Sequence, residues 1–284
     1  MNAAEVRGLL ERHGLLARRD LGQNFLFDEQ LARRLVSQAG VGEGDTVIEI
    51  GTGLGTLTRA LAGRATRVVT LEVDAGLVRA LREEKLLPEG VELHHADALR
   101  FDLAGLVAEA RPPVRVVGNL PYSISAPLLR RLLDLRDGLT DWSVMIQREV
   151  AVRLRAQPGS RDYGSLAALH GLVVRIDRTQ ELGARCFFPV PRVRSTFLRL
   201  TPRSPAPLEA GELSSVERVI RAAFSHRRKT LINALRGSDL EPPPSDDAIA
   251  GSLQRLGLEP KVRAERLAPE QFLQLARCLA GRTA

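Results

Sequence analysis

The chain has 284 residues, 44% of them hydrophobic, and carries 41 basic against 34 acidic side chains for a formal net charge of +7. That length suits one large domain with a smaller companion, and the charge favours an anionic partner. Apolar runs fall short of the roughly 18 residues a membrane span needs, and the two cysteines, Cys186 and Cys278, exclude a disulfide framework or a cysteine metal site.

Met1 to Gly14 is charged at Glu5, Arg7, Glu11 and Arg12 and has no secretory apolar core. A cytoplasmic protein with two buried thiols is expected. Asp28 to Gly40 has the pattern of a capped amphipathic helix ending at glycine. Thr46 to Ile50 reads as a buried strand that runs into Gly51-Thr-Gly-Leu-Gly55 and a helix over Thr56 to Ala62. Strands over Arg67 to Val73, Val91 to His94, Val114 to Val117 and Trp142 to Ile146 follow. Helices over Ala75 to Leu87 and Ile124 to Leu135 lie between them, the second with Pro127 in its first turn. Strands alternating with helices imply an α/β fold with a parallel sheet covered on both faces. Leu172 to Ile176 and Ser195 to Leu200 read as two more strands, placed to close the sheet edge as a hairpin. Thr201 to Leu208, with Pro202, Pro205 and Pro207, reads as a linker. Beyond it, Leu213, Val216, Val219, Ile220 and Phe224 open a helical module, which Pro242 to Pro244 interrupt and Gln271 to Leu279 closes. The expected organisation is a domain over 1–200, a linker over 201–208 and a helical domain over 209–284.

Candidate chemistry gathers at the strand ends. Gly51, Gly53 and Gly55 alternate at a strand-to-helix turn, where glycine allows positive φ and close approach to a ligand. Alone, this is either a dinucleotide loop or a tight turn with no ligand. Thr56 breaks G-x-G-x-x-G, so a pyrophosphate cradle loses weight. Glu72 either accepts both ribose hydroxyls of an adenosine-type ligand or is a solvated strand-end acid. Asp97, after the third strand, can bond the amine of an adenine ring. The fourth strand ends in Asn119-Leu-Pro-Tyr122. The Asn amide both donates and accepts, Pro121 fixes the backbone, and Tyr122 offers a flat face. That set suits a planar, amine-bearing ring such as adenine.

Residues 148–203 hold 11 arginines and four acids, while the remainder is balanced at 30 basic and 30 acidic residues. The excess is either a phosphate-binding surface or a solvated face. Arg148, Arg153 and Arg155 lie nearest the candidate edge. Arg227, Arg228 and Lys229 are consecutive on an expected helix, so they do not form one face. They suit a phosphate-rich groove or a helix terminus, or they are a solvated run.

Seven segments in order carry a family resemblance: Gly22-Gln-Asn-Phe-Leu26, Glu49 to Thr58, Asn119 to Tyr122, Gln147-Arg-Glu-Val-Ala151, Tyr163-Gly-Ser-Leu166, Phe187-Phe-Pro-Val-Pro-Arg-Val193 and Phe224-Ser-His-Arg-Arg-Lys229. Over almost its full length the chain resembles the small-subunit ribosomal RNA adenine dimethyltransferases, which dimethylate two adjacent adenosines near the 3′ end of 16S rRNA. Thr52 stands where that family often has proline, Ala167 where serine is usual, and Arg194 where an acid is common. Arg194 adds to the basic face and bears on an RNA contact. The resemblance implies a Rossmann-like class I methyltransferase sheet with a small C-terminal helical domain that binds RNA or the ribosome. It implies S-adenosyl-L-methionine as cofactor and 16S rRNA in the small subunit as partner. Position by position, cofactor contacts fall on Asn24, Leu26, Gly51, Glu72, Asp97 and Asn119, with Gly53 in the same loop. Asn24 by itself reads as a turn or cap residue.

The adenine 6-amino group is a poor nucleophile, because its lone pair is conjugated into the ring. Asn119 and the backbone carbonyl of Leu120 or Pro121 are expected to accept its hydrogen bonds and draw the lone pair out of conjugation. The base must leave its stack, with Tyr122 against one face and Phe187 against the other, unless Phe187 is core. No metal is expected, and a monomer is expected because no spare apolar helix face demands a partner. Two other readings stay open: a large-subunit rRNA adenine methyltransferase of the antibiotic-resistance type, and a ribosome-assembly binding factor with secondary catalysis. Phe224 to Lys229 and the Pro-Val-Pro stretch favour the small subunit over the large.

Overall fold

A computed structural model describes residues 1–18, 22–209 and 211–282. The chain divides into two compact units, one of Met1–Ala151 with Ile176–Pro202, the other of Val152–Arg175 with Arg203–Ala284. Among the described residues the first unit runs α1 (Ala3–Arg12), β1 (Phe25–Leu26), α2 (Glu29–Gln38), β2 (Thr46–Ile50), α3 (Thr56–Ala62), β3 (Arg67–Glu72) and α4 (Ala75–Glu83). It continues through β4 (Glu92–His95), α5 (Leu103–Glu109), β5 (Val114–Asn119), α6 (Ser125–Asp134) and β6 (Asp141–Gln147). Helix α7 (Arg148–Leu154) leads into the second unit and α8 (Ser165–Val173), and β7 (Val174–Leu182), β8 (Phe187–Phe188) and β9 (Ser195–Pro202) lead back. The second unit then holds α9 (Glu212–Phe224), α10 (Leu231–Arg236), α11 (Asp246–Arg255) and α12 (Pro269–Leu279).

The main sheet has the order β4-β3-β2-β5-β6-β9-β7. β4, β3, β2, β5 and β6 pair in parallel, and β9 pairs antiparallel to β6. Every residue of β2 is buried, as a central parallel strand covered on both faces requires. From β2 the chain steps out to β3 and β4, then returns to the other flank at β5. Strand order therefore reverses between β2 and β5, the place where open α/β sheets bind ligands. There Gly118 matters for its missing side chain, since a Cβ would lie 2.6 Å from the Ile50 carbonyl oxygen.

Local signals fix the helices beside this point. Asp28 caps α2 by accepting from the Leu31 N–H at 2.9 Å, and Asp74 caps α4 by accepting from Gly76 and Leu77. A second, two-stranded sheet pairs Phe25 with Phe188 and Leu26 with Phe187, which brings residues 22–26 to the carboxyl ends of the main strands. Phe25 also packs with Val6, Leu9 and Leu10 of α1, a helix the sequence reading passes over.

Three expectations need correction. Leu172 and Val173 end helix α8 rather than start a strand, because a short buried apolar run has no period that separates helix from strand. Residues 152–175 belong with the C-terminal helices, where the sequence reading extends the first domain to 200. Within the second unit the Tyr163 hydroxyl donates to the Leu267 carbonyl at 2.9 Å and its ring meets Phe224, tying this segment down. Cys278 is buried, but Cys186 is only half-buried. No described helix is long and apolar enough to cross a membrane.

Candidate active site

An open cleft lies at the carboxyl ends of β2, β3, β4 and β5. Asn24, Leu26, Gly51, Gly53, Glu72, Asp97 and Asn119 all line it, together with Leu120, Pro121 and Tyr122. The topology explains the gathering, since each parallel strand delivers its last residue to the same edge.

Gly51 has φ +85°, and a Cβ there would sit 3.4 Å from the Asn119 carbonyl oxygen. This loop therefore runs close under the Asn119 strand end, in a conformation that disfavours side chains. The Gly53 N–H donates to Glu72 Oε2 at 2.8 Å, and the Asp74 N–H donates to Oε1 at 3.0 Å. Burial raises the Glu72 pKa, and these N–H bonds oppose the rise. Each Glu72 oxygen keeps acceptor capacity, which suits two neighbouring hydroxyls. Asp97 Oδ1 accepts from the Leu99 N–H at 2.9 Å, and Oδ2 lies 3.7 Å from Arg100 Nε. The loop after Asp97 is held by a residue the sequence reading missed. Arg131 of α6 donates to the Ala98 carbonyl at 2.6 Å and to the Phe101 carbonyl. Its only sequence signal is a basic residue on the helix that follows Asn119–Tyr122.

Asn119 Nδ2 donates to the Asn24 backbone carbonyl at 2.8 Å. That bond orients the amide and leaves Oδ1 as its acceptor. Asn24 thus acts here through its main chain, while its side-chain nitrogen donates to the Gly22 carbonyl at 3.2 Å. The Pro121 carbonyl accepts from the Ile124 N–H at 3.1 Å and from the Ser125 hydroxyl at 3.0 Å, so both its lone pairs serve the start of α6. The Tyr122 and Ser195 hydroxyl oxygens lie 3.3 Å apart.

Phe187 is not where the stacking role needs it. It is 1% exposed, pairs opposite Leu26 and packs with Leu31, Leu35 and Phe197 in the core. A large apolar residue reads alike in sequence whether it lines a pocket or fills an interior.

The six basic residues expected at RNA do not form one set. Arg148 belongs to the first unit, and its Nε lies 2.9 Å from Glu181 Oε1, which holds that carboxyl below its ordinary pKa. Arg153 and Arg155 belong to the second unit and are exposed. Arg227, Arg228 and Lys229 lie in the turn between α9 and α10 rather than on a helix. The Ser225 hydroxyl bonds back to the Ala222 carbonyl at the end of α9, and Thr230 caps α10. Arg227 donates to the carbonyls of Arg161 and Tyr163 and lies 3.5 Å from Glu265, so it is an internal clamp. Arg228 and Lys229 are exposed.

A doubly wound sheet with a glycine loop at the switch point, and carboxylates at or just after the ends of the next two strands, has the frame of a Rossmann-like class I methyltransferase. More narrowly, the chain belongs to the ribosomal RNA adenine dimethylase family, whose model matches residues 14–280. It is 39% identical to the ribosomal RNA small subunit methyltransferase A of Moorella thermoacetica, over 95% of each chain. Identity to the protein of that name from Myxococcus xanthus is 38%, over 98% of this chain and 96% of the other. Among solved structures, the 23S rRNA methyltransferase ErmE superposes with a TM-score of 0.65 at 26% identity, over 90% of this chain and 100% of that one. A Plasmodium falciparum dimethyladenosine transferase has a TM-score of 0.75 at 22% identity, over 88% of this chain and 95% of that one, and bears on the fold alone. The family's methyl donor is S-adenosyl-L-methionine. The residues present fit that molecule, with spare acceptors on Glu72 for ribose hydroxyls, a carboxylate at Asp97 for an adenine amine and a side-chain-free approach at Gly51.

Proposed function

We propose that this chain dimethylates the 6-amino groups of two adjacent adenosines near the 3′ end of 16S rRNA in the small ribosomal subunit. The observation that carries the reading is the Asn119 amide, held by the Asn24 carbonyl so that its oxygen serves the cleft shared with Glu72 and Asp97. The choice of subunit is supported by relatives named for the small subunit at 39% and 38% identity, against 26% for ErmE.

When bound, S-adenosyl-L-methionine supplies an electrophilic methyl group on a sulfonium. Asn119 Oδ1 accepts one hydrogen of the adenine amine. With the Pro121 carbonyl committed to Ile124 and Ser125, the Leu120 carbonyl is the second acceptor. Two acceptors pull the nitrogen lone pair out of the ring and stabilise positive charge as it develops. No strong base is required, because the methylated amine is acidic enough to lose its proton to water. Tyr122 stacks on the flipped base, its ring steadied by Ser195. Arg228 and Lys229, exposed on the second unit, contact RNA phosphates. In this reading the protein is cytoplasmic and monomeric.

The test is mass spectrometry of adenosines after purified, unmethylated small and large subunits are incubated separately with labelled cofactor. Dimethyladenosine at two adjacent positions of the small subunit is expected. Label confined to the large subunit overturns the proposal.

A further inference from the structure

Beneath the glycine loop lies an acid that this chemistry does not use. Glu49 stands on β2 two residues before Gly51 and is completely buried. Its Oε2 accepts from the Thr58 hydroxyl of α3 at 2.6 Å and from the Thr70 hydroxyl of β3 at 2.7 Å. Thr70 Oγ1 lies 2.7 Å from Thr52 Oγ1, inside the loop itself. Glu49 Oε1 is buried with no hydrogen-bond partner among the described residues. An ionised carboxylate with one bare oxygen is strongly disfavoured in an interior, whereas the neutral acid is tolerated.

The surroundings point the same way. Glu72, at the end of β3, opposes a second negative charge, while Arg59 of α3 favours one. From β5 the residue in register with Glu49 is the apolar Val117. Burial outweighs the threonine bonds and Arg59, and it lifts the Glu49 carboxyl to about 8.

We propose that Glu49 is a positioning residue that works as a neutral acid. Through Thr58, Thr70 and Thr52 it ties the first turn of α3 and the glycine loop to β3, holding the loop in its cofactor-binding shape. Ionisation of Glu49 places an unpaired charge under the loop and releases it. The proposal concerns the methyl donor alone and does not depend on which adenosines are methylated.

The sign of the pH dependence follows from linkage. A carboxyl whose pKa is higher folded than unfolded stabilises the fold least at high pH. Its contribution declines as pH rises from the unfolded value of 4.5 to about 8 and is flat beyond.

The experiment is calorimetric titration of S-adenosylhomocysteine into the wild type and the Glu49→Gln, Glu49→Ala and Thr52→Val variants, from about pH 6 to about pH 9.5, with apo-protein melting curves alongside. Glu49→Gln keeps the shape and removes the titration. It is expected to bind like the wild type at neutral pH, while Glu49→Ala binds more weakly throughout. Above pH 8 the wild-type affinity should fall, approaching about tenfold per pH unit, while that of Glu49→Gln changes in comparison by less than about twofold. The apo melting temperature of the wild type should fall relative to Glu49→Gln from about pH 6 to about pH 8 and run parallel above, roughly as the linkage predicts. Thr52→Val should keep that melting profile but flatten the affinity profile, because it cuts the link into the loop. Superposable affinity profiles for the wild type and Glu49→Gln overturn the proposal. Should Glu49→Gln fail to fold, an affinity profile for Thr52→Val as steep as the wild type's overturns it equally.

Discussion

The Asn119 amide commits its nitrogen to the Asn24 carbonyl, 2.8 Å away, and keeps its oxygen for the cleft. In the proposed mechanism, removing that oxygen takes away an acceptor where charge develops, an effect of about 100- to 1000-fold in rate. Asn119→Ala is therefore expected to lower single-turnover methylation by about that factor. Cofactor affinity should shift far less, since Glu72 and Asp97 remain. Single-turnover rates equal to the wild type's would sink the assignment. Asn119, Glu72 and Asp97 were legible in the sequence because each polar side chain ends or follows a strand of the parallel sheet. Phe187 was not, because its burial depends on Leu26, a neighbour 161 positions away in the chain that pairs with it across a two-stranded sheet. The choice between the Leu120 and Pro121 carbonyls was open for a related reason. It depends on the Ser125 hydroxyl turning back onto Pro121, a local bond that residue types alone do not announce.

Helix α6 joins the two halves of the cleft. It starts immediately after Asn119–Tyr122, and its Arg131 holds the Ala98 and Phe101 carbonyls of the loop that presents Asp97. Charged hydrogen bonds of this kind are each worth about 1.5–3 kcal/mol. Arg131→Met is therefore expected to raise the KM for S-adenosyl-L-methionine about tenfold while leaving kcat within about threefold. Arg131→Lys should recover part of the loss by reaching one carbonyl. Steady-state kinetics with cofactor varied would reveal this, and an unchanged KM would remove Arg131 from the site. At this scale the strands of the parallel sheet were legible from apolar runs closed by glycine, acid or proline. Helix α1 was overlooked although it carries a complete capping box from Asn2 to Glu5, because its apolar positions Val6, Leu9 and Leu10 are few and lie among charges. Residues 152–175 group with the C-terminal helices through tertiary contacts that local sequence pattern does not carry, as the bond from Tyr163 to Leu267 illustrates.

Across the whole molecule, net charge overstates what is free to meet RNA. Of the 11 arginines in residues 148–203, Arg148 pairs with Glu181, Arg199 with the buried Asp141, and Arg203 with Glu270. Composition counts those charges, but only the folded chain shows them answered by acids, two of which, Asp141 and Glu270, lie outside that segment. The consecutive Arg227, Arg228 and Lys229 divide in the same way. Within the second unit, the Gly159 N–H donates to the Glu265 carbonyl at 2.7 Å, and the Leu231 N–H donates to the Val262 carbonyl at 2.8 Å. All three basic residues are exposed, but Arg227 also reinforces this joint through the Arg161 and Tyr163 carbonyls. Arg227→Ala should therefore act on stability, lowering the melting temperature by about 2–3 °C for a loss of roughly 1–1.5 kcal/mol. The double variant Arg228→Ala, Lys229→Ala should leave melting unchanged and weaken binding to small-subunit RNA. Each phosphate contact contributes a slope of about −0.7 to −0.9 to the logarithm of affinity against the logarithm of salt. Loss of two contacts should make that slope shallower by about 1.5 in filter-binding titrations. A slope identical to the wild type's would show that this turn contacts no phosphate.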